Sequence, residues 1–287
     1  MPLPHEWLMG GMLALTTVRL VAHGAAGHWV TWMFGLLTAL VPVTVIWCAG
    51  RPTRLRWLVR LLFHPAAMGA AFFLLGPAVR LLGVASADPW LRALDRSLLG
   101  TNLSVAWERW SHPWLTDAMA IAYFSFYYYL VAGPGWYAIR DPRRFRSAIV
   151  GLFSIYGIGL ICYQFWPALG PYAAESFQGP LPDGGLSRWM LAIVKGGTNG
   201  VDVFPSLHMA CSLFLLGFDR HYRPSHFRWM LLPTVLLWMS TLYLRYHYFT
   251  DLWVGAVLGL AGLWLARRFE NSPWQTRIDL EMEAAGR

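Results

Sequence analysis

Eight apolar stretches dominate this chain, near residues 7–24, 28–49, 61–83, 114–138, 147–166, 203–219, 229–246 and 249–267. A helix needs roughly 20 such residues to cross the ~30 Å hydrocarbon core of a bilayer. The sixth stretch is the shortest. Charged residues make up 13% of the chain, where a soluble domain carries about 25%. Mean hydropathy is +0.42, and there are 17 tryptophans. The expected fold is all-α: one polytopic membrane bundle of about eight transmembrane helices, although 287 residues would admit two soluble domains.

The net charge of +8 comes from 22 arginines and one lysine, Lys195, against 15 acids. These arginines fall in short clusters between apolar runs, which excludes a nucleic-acid partner and reads as a topology signal. Residues 51–60, 140–146, 219–228 and the tail after Ala266 hold 4, 4, 3 and 4 arginines. The opposite connections hold Arg92, Arg96, Arg109, Arg188 and Lys195, while Arg19, Arg80 and Arg245 lie near outer helix ends, where they can snorkel. Fifteen against five places the arginine-rich side and both termini in the cytoplasm.

Three segments are expected: two N-terminal spans with an arginine-rich loop (1–60), a membrane domain (61–268) and a polar, partly helical tail (269–287). "MPLPHE" has no positive n-region and carries Glu6, so the first apolar run reads as a retained span and not a cleaved leader. Cys48, Cys162 and Cys211 lie inside apolar runs at no metal-ligand spacing. Two outer segments are long. Residues 84–113 are expected to lie on the surface as an amphipathic helix, with Trp90, Leu94, Leu98 and Trp107 as its greasy face. Residues 167–202 are rich in Gly and Pro.

"RYHYFTDLWVG" (245–255) sets His247 and Asp251 four apart, one face of a helix, at the outer junction of the last two spans. "DVFPSLHMACSLF" (202–214) puts His208 in the first turns of a helix expected to start near Pro205, also on the outer side. Both histidines therefore share one membrane depth across 39 residues of sequence, and intramembrane ionisable groups tend to be functional. His5, His23, His28, His64, His112, His221 and His226 read instead as interfacial or hydrogen-bonded residues. Asp251 also fits a plain helix cap.

Two chemistries suit two histidines and a carboxylate. In one, Asp251 orients His247 as a nucleophile and His208 moves the proton. In the other, all three bind iron as a two-His-one-carboxylate site. Phosphate chemistry wants donors and positive charge nearby. Ser206, the first amides of the sixth helix, Lys195 and Arg245 would supply them, with Arg188 a poorer third cation. A metal site has no use for that charge. A transporter or receptor with buried charges is disfavoured, because the span centres are nearly free of Asp, Glu, Lys and Arg.

"FPSLH" followed by "YLRYHYFTDLWVG" resembles the type 2 phosphatidic acid phosphatase superfamily, and within it the branch of inositol phosphorylceramide synthase. "LDRSLLG" (94–100) and "YQFWPALGPY" (163–172) sit where that branch carries comparable segments, so the likeness covers roughly residues 88–268. The resemblance implies a six-helix core and a metal-free, cofactor-free mechanism. In it His247 becomes a phosphohistidine, Asp251 holds its ring, His208 serves the leaving and entering oxygens, and Ser206 contacts the phosphate. The superfamily's Lys and Arg-Pro motif is absent, Ser240-Thr241 replace its Ser-Arg, and Leu207 replaces a common Gly. These departures favour the synthase-like branch and leave the phosphate clamp to Lys195 and Arg245 on position alone. The expected activity is transfer of a phospho-head group between membrane lipids at the outer leaflet. The alternative is a lipid phosphate phosphatase with water as acceptor.

Overall fold

The computed structural model of the protein describes residues 2–50 and 53–285. It is all-α, with thirteen α-helices among the described residues and no strand. They are α1 (Pro4–Ala22), α2 (Trp29–Gly50), α3 (Arg54–Leu82), α4 (Asp88–Leu99), α5 (Leu103–Ala106), α6 (Pro113–Arg140), α7 (Pro142–Phe165), α8 (Pro171–Ala174), α9 (Gly185–Gly197), α10 (Leu207–Tyr222), α11 (Pro224–Tyr243), α12 (Phe249–Glu270) and α13 (Pro273–Ala285). A 3-10 turn, Trp107–Trp110, follows α5.

Each of the eight apolar stretches falls on one long helix, and proline sets many of the starts. It opens α1, α6, α7, α11 and α13, where its missing N–H has no intrahelical partner to lose. The His112 ring accepts from the Trp114 amide at 3.4 Å before α6, and Asp141 accepts from the Arg144 amide at 3.1 Å before α7. Two boundaries differ from expectation. The third helix begins at Arg54 rather than 61, because Thr53 caps it by accepting from the Arg56 amide and arginine is a good helix former. The sixth begins at Leu207, with Ser206 and not Pro205 at its cap.

α7 is the central strut. It packs against α1, α3, α6, α10 and α12 and buries most of its length, with Val150, Ile155 and Leu160 fully enclosed. The outer faces of the bundle are apolar: Ile139 and Trp229 are each 81% exposed. Four helices, α2, α3, α7 and α12, are long and apolar enough to cross a membrane. This is the surface a lipid solvent demands.

The outer segment 84–113 is not one helix but α4, α5 and the 3-10 turn. α4 turns Asp88, Leu91 and Asp95 inward and leaves Trp90 and Leu98 46% and 64% exposed. The carboxylates take the inward face because each has backbone N–H groups to accept from, while Trp90 and Leu98 face outward. The tail is helical over Pro273–Ala285. α13 docks on the start of α7, where Arg146 pairs with Asp279, Gln275 donates to the Arg143 carbonyl at 2.8 Å, and Ile278 is buried.

Candidate active site

The site forms where the first turns of α10 and α12 meet the end of α11. α10 and α12 approach closely because Gly255 and Gly259 of α12 face the Ser206 and Ala210 carbonyls. The Ser206 amide donates to the Asp251 carbonyl at 3.2 Å, tying the two helix starts together. Ser206 then caps α10 by accepting from the Met209 amide at 3.3 Å, which sets His208 in its first turn.

The turn after α11 aims the second histidine. Arg245 is left-handed at φ 65°; the Arg245 amide donates to the Leu242 carbonyl and the Tyr246 amide to the Thr241 carbonyl. This is the Schellman arrangement that closes helix C-termini, with arginine where glycine is usual. The His247 amide donates to the Thr241 carbonyl at 3.1 Å. His247 therefore lies in a turn ahead of α12 and not on the helix face expected from its spacing to Asp251. Asp251 still reaches it, because it sits in the first turn of α12 and points back. Its Oδ2 accepts from the Tyr248 amide at 3.0 Å and contacts His247 Nδ1 at 3.2 Å. Capping and ring-holding, weighed as alternatives from the sequence, are both done by this carboxylate.

His247 Nε2 meets His208 Nδ1 at 3.1 Å and Ser206 Oγ at 3.5 Å. One tautomer assignment satisfies the chain: His247 Nδ1–H donates to Asp251, and His208 Nδ1–H donates to His247 Nε2. Asp251 and His208 thus lie on opposite sides of the His247 ring. The three are arranged in a line and not around a point, so in this arrangement they do not converge on one ion. Asp251 and Ser206 are fully enclosed, and His247 is buried.

Several groups around the trio were not foreseen from the sequence. Tyr123 and Phe126 of α6 wall His208, with ring centroids 4.8 and 4.6 Å from its own. Their spacing of three in the aromatic run 123–129 was the available signal. Asp95 accepts from the Phe249 and Thr250 amides at 2.8 Å each, holding the first turn of α12. Asp88 accepts from the Leu169 and Gly170 amides at 2.8 Å each and from the Tyr248 hydroxyl at 3.0 Å. Asp202, whose Oδ1 accepts from Thr198 at 2.6 Å, lies close enough for its charge to couple to His247.

The expected phosphate-side cations are not gathered on the histidines. Arg245 is engaged by Glu108 at 3.1 Å and the Gly179 carbonyl at 3.0 Å, with its guanidinium 3.7 Å above the Phe177 ring. Lys195 is exposed in the last turn of α9, and Arg188 pairs with Asp183 at 3.0 Å. The two long outer segments are tied to each other instead. Glu108 accepts from the Gln178 amide at 3.0 Å, Arg96 pairs with Glu175 at 3.0 Å, and the Ala87 amide donates to the Pro167 carbonyl at 2.7 Å.

No curated protein and no solved structure matches the chain. The family profile described as PAP2 superfamily matches residues 89–265, which takes in α4, the paired histidines and nearly all of α12. That match spans more than half the chain, and its limits enclose every residue of the buried His–His–Asp line, so the chain belongs to the PAP2 superfamily.

Proposed function

We propose that the protein is a lipid phosphotransferase that moves a phospho-head group between membrane alcohols through a phosphohistidine at His247. The observation that carries this reading is the linear Asp251–His247–His208 contact chain, with 3.2 and 3.1 Å links. A proton on His247 Nδ1, held by Asp251, puts the lone pair on Nε2, which can attack phosphorus once a bound phosphate displaces the His208 N–H that it accepts from. A phosphate bound between the two rings sets the leaving oxygen on the far side of phosphorus from Nε2, where His208 in its protonated form would meet it. In the first step the Nε2–P bond forms, the P–O bond to the donor lipid breaks, and His208 gives its proton to the released oxygen. In the second step His208 takes the proton of an acceptor hydroxyl, whose oxygen attacks phosphorus and breaks the N–P bond.

Ser206 and the first amides of α10 are the groups best placed to hold the phosphate oxygens. Arg245 fits better as the latch of the covering loop, and Lys195 remains the cation for the rim. A lipid alcohol is favoured over water as acceptor because the trio is buried against an aromatic wall on α6 and roofed by the linked outer segments. The FPSLH motif and the Ser240-Thr241 variation point the same way, toward the inositol phosphorylceramide synthase-like branch. All eight long helices are then spans, with the site at the outer leaflet and the arginine-rich connections in the cytoplasm.

The test is a thin-layer assay of detergent-purified protein with labelled phospholipid donor, with and without ceramide or diacylglycerol, beside His247→Ala. A new acceptor-linked phospholipid that needs His247 is expected. Free phosphate or free phospho-head group, unchanged by added acceptor, would make the enzyme a hydrolase. Undiminished turnover by His247→Ala would end the covalent mechanism.

A further inference from the structure

From the sequence His5 and His64 read as interfacial or hydrogen-bonded, and His64 does bond to the Arg60 carbonyl. Both are fully buried, near the start of α1 and in α3, together with Glu6 and Arg60. Polar groups so enclosed are nearly always hydrogen-bonded, yet three ring nitrogens here are not. Both nitrogens of His5 and Nε2 of His64 have no partner.

The tautomer of His64 sharpens the problem. Its Nδ1 lies 2.7 Å from the Arg60 carbonyl, an acceptor, so Nδ1 carries the proton. In the neutral ring Nε2 is then a bare lone pair. It faces Glu6 Oε1 at 3.7 Å, a second acceptor. Two acceptors opposed in a dry interior repel unless something positive lies between them. A proton on His64 would relieve that pair but would leave His5 with two orphaned nitrogens, its ring 5.1 Å from that of His64 and edge-on to it. One cation accounts for all three nitrogens and the carboxylate together.

We propose that His5, Glu6 and His64 form a buried site for a divalent transition-metal ion, with zinc the first choice. One ligand atom from each residue lies within 4.8 Å of the others. Metal bonds of about 2.1 Å in a tetrahedral site put neighbouring ligand atoms roughly 3.4 Å apart, close to the 3.7 Å between His64 and Glu6. Two imidazoles and one carboxylate suit a borderline-soft ion and not magnesium or calcium.

The outer contacts of such a site are also present. A metal-bound histidine usually donates its other N–H to a carbonyl or carboxylate, as His64 does to Arg60. Glu6 is fixed by Arg60 Nε and Nη2 at 2.6 Å each and by the Leu3 amide at 2.6 Å. Oε2 takes two of those donors and Oε1 one, leaving Oε1 an open lone pair on the His64 side. Arg60 withdraws charge from the carboxylate, which favours an ion held mainly by imidazole nitrogen. The ion would clamp α1 to α3, both of which pack on α7, and it stands apart from the His208–His247–Asp251 chemistry.

The full-length protein, purified in detergent, would be stripped with a chelator, reloaded with Zn²⁺ or Co²⁺ and freed of excess metal. Metal content, the visible cobalt spectrum and the unfolding midpoint would be read for wild type, His5→Leu, His64→Leu and His247→Ala. The expected result is one ion per chain in wild type and His247→Ala, little in the His5 and His64 variants, and a cobalt spectrum of nitrogen and oxygen ligands. Zinc should raise the unfolding midpoint wherever the site is intact, since an ion that binds only the folded chain stabilises it. Wild-type protein that retains no ion after reloading overturns the site even if the leucine variants fail to fold. Equal metal in wild type and His5→Leu overturns the ligand set. Loss of the ion in His247→Ala would move the binding to the other histidines and overturn the proposal as well.

Discussion

Asp95 and Thr250 are joined twice: one carboxylate oxygen of Asp95 accepts both the backbone N–H of Thr250 at 2.8 Å and its hydroxyl at 2.6 Å. The other oxygen accepts from the Phe249 amide at 2.8 Å. A residue remote in sequence therefore caps α12, whose first turn carries Asp251. Caps are worth about 1–2 kcal/mol, and a negative charge at a helix N-terminus adds to this. Asp95→Ala is expected to lower the unfolding midpoint. It should also cut kcat roughly 100-fold, the scale of a 1 Å misplacement, with little change in KM. Asp95→Asn, which keeps one acceptor oxygen, should fall between. Wild-type kcat in Asp95→Ala would show that α12 holds its register without this cap.

The helices were legible because lipid-length apolar runs leave few alternatives, and proline at so many helix starts marks their edges. The trio was legible as well, since His208, His247 and Asp251 are ionisable groups at the ends of oily runs. What joins them was not. The pair 247/251 is separated by four residues as a helical pair would be, yet His247 sits in a turn, and only the Arg245 backbone reveals that. α4 looked amphipathic by its tryptophan and leucines. Its inward face is set by Asp88 and Asp95, whose carboxylates accept from backbone amides 81 to 155 residues away in sequence and follow no local period. Arg245 was singled out for its charge, and its Glu108 partner lies 137 residues away.

Arg245 holds a left-handed backbone at φ 65°, a conformation that costs a residue with a Cβ about 1–2 kcal/mol. Its side chain recovers this through Glu108, Gly179 and Phe177. Arg245→Ala loses the side-chain contacts and keeps the strain, whereas Arg245→Gly loses the contacts and the strain together. The glycine variant should therefore unfold at a higher temperature than the alanine variant, by about 1 kcal/mol in stability. Both should show faster proteolysis in the 174–186 loop. If alanine is the more stable of the two, the turn carries no strain and its geometry is set elsewhere.

Gly255 and Gly259 let α12 lie against the backbone of α10. A Cβ at Gly259 would come within 2.5 Å of the Ala210 carbonyl oxygen and 3.2 Å of Ala210 Cα, so backbone and not a flexible side chain would have to move. A Cβ at Gly255 would overlap the Ser206 carbonyl oxygen, next to the phosphate-side serine. Overpacking of this kind costs typically about 1–3 kcal/mol. Gly259→Ala should mainly lower the unfolding midpoint. Gly255→Ala should depress turnover out of proportion to its loss of stability, because it displaces Ser206 and His208 relative to His247. Comparing kcat with unfolding midpoint for the two variants checks this; matched losses in both would mean that the close contact serves packing alone.

Asp202 lies in the connection before α10, and burial pushes its carboxyl above the ordinary value of 3.8, against the Thr198 hydroxyl, the neighbouring backbone amides and the charge of His247, which pull it down. The folded chain therefore holds this proton more tightly than the unfolded chain does. By linkage, stability from Asp202 is fully present below the ordinary carboxylate value and is lost as pH rises from there through the raised folded value. Asp202→Asn cannot ionise and lacks that decline, so its unfolding midpoint should gain on wild type as pH climbs from about 4 to about 7. Turnover gives a second readout. An ionised Asp202 near His247 repels the phosphate anion, so the asparagine variant should show a lower KM at the upper end of this range. A midpoint difference that stays flat with pH would mean that Asp202 titrates as it does in the unfolded chain, and the KM difference should then be present across the whole range and not only at its upper end.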